Sequence, residues 1–171
     1  MLGSVHDYAL VIREQHLDTF GHVNNAKYLE ILEEARWDLI SRNGYGLEEV
    51  LRRRIGPTIL EINLKFQREL RNRQPIVIKT WMDAYAGKIG RVGQEIRDPE
   101  GNLFCEAMFT IGLFDVAARK LILPTPEWIR ALGLTERDLG GPAQGRGRRP
   151  LRRIETTLSR ARNRKCVHSR P

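Results

Sequence analysis

The chain has 171 residues, 41% of them apolar and 29% charged, with a formal net charge of +8. That length and apolar fraction suit one domain with a buried core and exclude wholesale disorder or two separate large domains. There is no uninterrupted apolar run of about 18 residues to cross a membrane, and the start of the chain lacks the basic, apolar, small-residue order of a secretory signal, so a soluble, cytoplasmic protein is expected.

Residues 8–13 predict a short strand with Tyr8, Leu10 and Ile12 on one face. A polar loop follows, then a helix over residues 24–42. Tyr28, Leu29, Leu32, Ala35, Arg36 and Leu39 recur there at spacings of three and four, with acids and Lys27 on the other faces. Asn24 or Asn25 suits the N-cap and Asn43-Gly44 the stop. Residues 47–54 read as a shorter, weaker helix.

From there the period changes to two. In residues 58–66, Leu60, Ile62, Leu64 and Phe66 alternate with Glu61, Asn63 and Lys65, the cleanest strand of the chain. Residues 76–84, 88–97 and 103–114 continue in the same style. Asp98-Pro99-Glu100-Gly101 supplies a type I turn, which pairs the last two as an antiparallel hairpin. A short strand over 120–123 and a helical turn over 127–132 close the domain. The layout is α+β, an antiparallel sheet covering one long helix. Residues 103–114 are apolar on both alternating faces, with Leu103, Cys105, Ala107, Phe109 and Ile111 against Phe104, Met108 and Phe114. One helix cannot cover both, so self-association is expected.

Residues 140–171 hold ten Lys/Arg and one acid, so this segment carries +9 and residues 1–139 carry −1. The domain is therefore read as 1–139, followed by a basic C-terminal tail, 140–171, too poor in apolar residues to order itself. Clustered Lys/Arg can bind phosphates. Without aromatic residues to stack on bases, though, a solvated extension is the preferred reading and nucleic acid is not an expected partner. Cys105 and Cys166 have no metal-ligand or disulfide spacing.

Chemistry concentrates in residues 16–25, HLDTFGHVNN, between the first strand and the long helix. The first-turn N–H groups of a helix lack intrahelical acceptors and sit at the positive end of its dipole, so they can polarise a carbonyl whose oxygen becomes negative in acyl transfer. A carboxylate nearby, Asp18, can attack that carbonyl or take a proton from water. Each residue also has a plain structural reading: Asp18 as a turn residue, His22 as a packing residue, Asn24 and Asn25 as caps, Gly21 as a turn glycine. From spacing alone, a hydrolase is one reading among these.

The run HLDTFGHVNNAKYLEILEEARWD, residues 16–38, resembles the active-site loop and central helix of the 4-hydroxybenzoyl-CoA thioesterase branch of hotdog-fold proteins, whose pattern is D-x-x-G-H-V-N-N-x-x-Y. Within that branch it is most similar to bacterial long-chain acyl-CoA thioesterases. The similarity continues more weakly to about residue 123 and does not reach residues 140–171. The resemblance implies a five- or six-stranded antiparallel sheet wrapped around the helix, and homodimers or homotetramers built through edge strands. It implies hydrolysis of acyl-CoA, of medium to long chain, to free acid and CoA. Asp18 takes the family's catalytic place as nucleophile or general base, and the backbone N–H at or near Asn25, with Asn24 beside it, the carbonyl-polarising place. Gly21, His22, Val23 and Tyr28 match the positions that shape the loop. Lys65, Arg68, Lys88 and Arg91 are candidates to meet the CoA phosphates. No metal or organic cofactor is implied. The alternatives are an acyl-acyl carrier protein (acyl-ACP) thioesterase and a non-catalytic hotdog dimer whose basic tail binds nucleic acid or membrane.

Overall fold

A computed structural model describes residues 1–135 and Asp138; the proposed boundary at residue 139 and the tail lie outside the described residues. Six strands, β1 (Leu2–Val11), β2 (Ile55–Phe66), β3 (Pro75–Ala86), β4 (Ile89–Arg97), β5 (Leu103–Asp115) and β6 (Lys120–Ile122), accompany three helices, α1 (Asn25–Arg42), α2 (Leu47–Arg53) and α3 (Pro126–Ala131). The sheet runs β1-β3-β4-β5-β2, antiparallel throughout, with β6 added to the end of β5. It is the α+β hotdog arrangement that the resemblance implies. None of the helices among the described residues is long and apolar enough to cross a membrane.

One face of the sheet presents Ile78, Ile96, Cys105, Phe109 and Leu113, all fully buried, and α1 lays Tyr28, Ile31, Leu32, Ala35 and Ile40 against that core. The register of α1 departs from expectation in two respects: Ile31 is buried while Leu29 remains 36% exposed, and Ile40 is buried while Leu39 is only half-buried. Four-residue steps put Leu29 on the same helix face as Asn25 and Glu33, both of which are exposed. The Asp98–Gly101 turn forms as expected, with Gly101 at φ 89° and its N–H donating to the Asp98 carbonyl at 3.0 Å.

The expected strand over 8–13 begins at Leu2 instead and ends before Arg13. Gly3-Ser4 reads as a breaker in sequence, but Gly3 adopts φ 64° and lies so close to the Gly133 carbonyl that a Cβ would come within 2.8 Å of it. The pairing with β3 is irregular at this point, passing from Leu2–Met82 to His6–Thr80.

On β5 the two apolar faces have different covers. Cys105, Ala107, Phe109, Ile111 and Leu113 pack towards α1, while on the opposite face Leu121 of β6 occupies the space over Gly112. Part of the cover expected from self-association is thus supplied by the chain itself. The edge strand β2 is the contrasting case. A bulge between Ile59 and Glu61 takes Leu60 out of the alternation and puts Ile59 in line with Ile62, Leu64 and Phe66, opposite the inward residues of β5. Ile62 is 43% and Phe66 55% exposed.

Candidate active site

Residues 16–24 fold back on themselves as a small hairpin that delivers the chain into α1. Buried His16 anchors its base. Its Nδ1 accepts from the Arg13 N–H at 3.0 Å, and its carbonyl accepts from the Asn24 N–H at 2.9 Å. Leu17 pairs with Val23, and the Asp18 N–H donates to the His22 carbonyl at 2.8 Å. The Val23 N–H donates to Leu70 at 3.0 Å, which ties the hairpin to the segment after β2. Gly21 closes the turn at φ 79°, in the left-handed region where side chains are strained.

The turn positions the Asp18 carboxylate. Its Oδ1 accepts from the Phe20 N–H at 2.8 Å and the His22 N–H at 3.2 Å, while Oδ2 has no hydrogen-bond donor among the described residues. One oxygen is therefore held by backbone and the other remains available for chemistry. Asn24 caps α1: its Oδ1 accepts from the Ala26 N–H at 2.9 Å, and its carbonyl from Lys27 at 2.9 Å. The N–H of Asn25, the first helical residue, has no acceptor among the described residues. It is an orphan donor at the positive end of an 18-residue helix.

Asp18 and Asn25 both border one open hollow of about 410 Å³. The loop and α1 contribute Asp18, His22, Val23, Asn25 and Tyr28; Phe66 through Glu69, where β2 ends, form the opposite wall. Tyr28 is buried and meets the Phe66 ring edge-on at 5.0 Å between centroids; burial raises its phenol pKa above the ordinary tyrosine value. The Tyr28 hydroxyl reaches the Arg68 carbonyl at 3.5 Å, so the aromatic floor and the far wall are joined. His22 Nε2 lies 3.1 Å from Glu69 Oε2, which turns the imidazole towards that wall.

Asp18, His22, Val23, Asn25 and Tyr28 are thus brought together, with Asn24 and Gly21 as the local supports of the helix start and the turn. The four basic candidates for CoA phosphates do not converge. Arg68 alone borders the hollow. Lys65 pairs with Glu106 at 2.9 Å on the outer face of the sheet, because alternation along β2 turns it away from α1. Lys88 donates to the Leu121 carbonyl at 2.8 Å, and Arg91 faces Asp83 at 3.6 Å. The loop 67–74 carries two further arginines after Arg68, Arg71 paired with Glu69 at 3.4 Å and Arg73 paired with Glu14 at 2.5 Å, and neither borders the hollow. The anchoring by His16 has no local sequence signal, because it depends on both ends of the hairpin being in place.

Comparison with known proteins gives an independent view. Residues 12–132 match the Thioesterase-like superfamily. The long-chain acyl-CoA thioesterase FadM of Escherichia coli (strain K12) is 33% identical over 112 residues, covering 65% of this chain and 84% of that protein. The chloroplastic acyl-acyl carrier protein thioesterase ATL2 of Arabidopsis thaliana is 34% identical over 79 residues, 46% of this chain and 42% of that protein. Among solved structures, YbaW from Escherichia coli, described as a probable thioesterase, aligns with a TM-score of 0.66 and 29% identity over 75% of this chain and 96% of its own.

Proposed function

Because the chain belongs to the thioesterase-like superfamily, we propose that it hydrolyses acyl-CoA thioesters of medium to long chain to free acid and CoA, with Asp18 and the start of α1 as the catalytic parts. The observation that carries this reading is the pairing, around one hollow, of a carboxylate with one free oxygen and a helix N–H with no acceptor. The thioester carbonyl oxygen accepts from the Asn25 N–H, which stabilises the negative charge that develops as the carbonyl carbon becomes tetrahedral. The free oxygen of Asp18 then either attacks that carbon, expelling CoA thiolate and leaving a mixed anhydride for water to cleave, or removes a proton from the attacking water. Either route gives the same products. Similarity to FadM supports acyl-CoA as the substrate. The exposed apolar side chains of Ile62 and Phe66 on the inner face of β2 support an extended acyl group lying between that strand and α1.

Arg68, which borders the hollow, meets a CoA phosphate in this reading; on the adjoining loop Arg71 pairs with Glu69 at 3.4 Å and Arg73 with Glu14 at 2.5 Å. The chain assembles into dimers, or pairs of dimers, through β2. Among the described residues this strand bonds only to β5 and exposes Leu60 and Ile62. Sedimentation of the parent and Leu60→Lys tests this: a dimer or tetramer shifted towards monomer is expected, and a monomeric parent would overturn it.

Thiol release from an acyl-CoA chain-length series, with parent, Asp18→Asn and Asp18→Ala side by side, tests the mechanism. Turnover rising with chain length and lost in both variants is expected; unchanged rates in the variants would remove Asp18 from the reaction. Similarity to the acyl carrier protein thioesterase ATL2 favours one second reading, in which the same site acts on acyl-ACP. Turnover of acyl-ACP without turnover of acyl-CoA would select it.

A further inference from the structure

Exposed apolar side chains gather in two places. One is β2, the strand of the proposed dimer. The other lies at the far end of β2 from the hollow, where that strand begins and β5 ends. There Leu47 and Leu51 of α2 are 61% and 66% exposed and Leu123, the residue after β6, is 62% exposed, with Val116 and Ile89 also open to solvent.

Backbone contacts bring these segments together. The Val116 N–H donates to the Arg54 carbonyl at 2.9 Å, and Asp115 pairs with Ile55 on one side and Lys120 on the other. Ile89 pairs with Gly112 of β5, and Lys88 Nζ donates to the Leu121 carbonyl at 2.8 Å. α2 is seated on the sheet through Val50, which lies so close to Gly56 that a Cβ there would meet its Cγ1 at 2.8 Å. Leu47 and Leu51, four residues apart, form one stripe on this helix that the sheet leaves uncovered.

Positive charge accompanies them. Arg54, Lys88, Arg119 and Lys120 are exposed, and none has a carboxylate within ion-pair distance among the described residues. Glu49, the acid of α2 that makes ion pairs, is taken by Arg52 and Arg53. Residues 47–54, 86–89 and 115–123 together carry +3, while the rest of residues 1–139 carries −4. Arg54 and Arg119 also stand at φ 56° and 54°, in the left-handed region that glycine occupies without strain. Each holds a long cation where the backbone favours a residue with no side chain.

Exposed apolar surface rimmed by polar groups marks an interaction site, and its chemistry limits the partner. A protein ligand is held by a shaped groove, but these leucines stand on separate elements: a helix and the end of a strand. A bilayer surface demands no shape. Apolar side chains enter its acyl boundary, while Lys and Arg extend their stems along it and keep their charges among anionic headgroups. The chain beyond the domain has the same sign, since residues 140–171 carry +9.

We propose that this end of the domain docks on an anionic lipid bilayer, with Leu47, Leu51 and Leu123 entering the interface and Arg54, Arg119 and Lys120 meeting the lipid phosphates. The inference uses no residue of the hollow and stands whether or not the thioesterase mechanism does.

The test sediments the full-length protein with vesicles of phosphatidylcholine alone and of an equal mixture of phosphatidylcholine and phosphatidylglycerol. The parent should bind the mixed vesicles, leave the neutral ones in place, and lose binding as salt rises. Leu47→Ser/Leu51→Ser should weaken partitioning by about tenfold or more, and Arg54→Gln/Lys120→Gln by about thirtyfold. Arg152→Gln/Arg160→Gln, which removes two charges from residues 140–171 instead, should lose distinctly less. All the altered positions of the domain are exposed, so thermal melts should match the parent, and each double variant tests the surface by itself if the other fails to fold. A parent that ignores the mixed vesicles overturns the proposal, as do domain variants that bind like the parent. An equal loss in Arg152→Gln/Arg160→Gln would move the binding to the C-terminal residues and overturn it too. If Leu47→Ser/Leu51→Ser splits an oligomer in vesicle-free sedimentation and leaves vesicle binding unchanged, the leucines cover a second copy and the proposal falls.

Discussion

The two ends of α1 are made from one continuous helical pattern, yet they do opposite work. At the C-terminal end side-chain hydrogen bonds tie the helix to its neighbours, although the buried Trp128 Nε1 has no partner among the described residues. Asn43 Nδ2 donates to the Ala131 carbonyl at 2.9 Å, the Tyr45 hydroxyl to Ile55 at 3.2 Å, and the Tyr45 ring meets buried Trp128 edge-on at 5.4 Å. At the N-terminal end a donor and a carboxylate oxygen are left without partners beside an open hollow. A helix start leaves N–H groups unpaired by construction; the hairpin 16–24 caps some of them and leaves the Asn25 N–H free. On the proposed mechanism, stability and reactivity are separated along this helix, and substitutions at its two ends should therefore fail in different ways.

The largest separation is expected from Asp18→Asn. Asparagine keeps an oxygen for the Phe20 and His22 N–H groups, so the turn survives and the melting temperature should hold. Loss of the carboxylate should reduce thioester turnover by about 10² to 10⁴. A drop in melting temperature comparable to that of a core substitution would break the distinction between the ends. Trp128→Ala is the counterpart: removal of a large buried ring should cost about 3–5 kcal/mol in denaturant unfolding, with turnover per folded molecule little changed at low temperature.

Asn24→Ala sits on the boundary between these behaviours. Loss of the cap should destabilise by about 1 kcal/mol and also lower turnover, since the first turn of α1 carries the proposed carbonyl donor. An effect on stability alone would sharpen the comparison by showing that Asn25 holds its place without the cap.

The smallest effect is a pH dependence arising in the core. Burial pushes the Cys105 thiol up to about 12 from an ordinary value of 9.0. Its folded-state pKa lies above the unfolded one, so the stability this gives is complete below about pH 9 and is lost as pH rises to 12. Tyr8, raised to about 12 chiefly by its hydrogen bond to Glu34, acts in the same direction from about pH 10. Arg36, lowered to about 10, acts in the opposite direction above that pH. Thermal melts between pH 8 and 11 should fall less steeply for Cys105→Ala than for the parent; parallel slopes would show that the thiol does not contribute.

Much of this protein is legible locally. The cap at Asn24, the stop at Asn43-Gly44, the Pro99 turn and the alternating strands depend on the backbone preferences of a few neighbouring residues, and it is the family resemblance carried by the run 16–38 that singles out Asp18 and the helix start. The bulge on β2 was not legible. It replaces Leu60 with Ile59 on the inner face, and nothing in alternating apolar residues marks where a ladder slips by one. The start of β1 was likewise concealed, because Gly3-Ser4 reads as a breaker and the strand runs through it with irregular pairing.

The placement of charge divides most clearly. Four basic residues had equal claims on a phosphate in sequence, but strand alternation and hydrogen-bond partners sent Lys65, Lys88 and Arg91 elsewhere and left Arg68 at the hollow. Arg36 reads as one position of a helical stripe, and only packing against Phe109 and Gln94 makes it a part-buried cation. Sequence alone determined what each segment becomes and which residue could supply the reaction's carboxylate, because turns, caps and periodicity act over a few bonds. Tertiary structure decided which side chains share a cavity and which remain unpaired, because burial and hydrogen-bond completion depend on segments far apart in the chain.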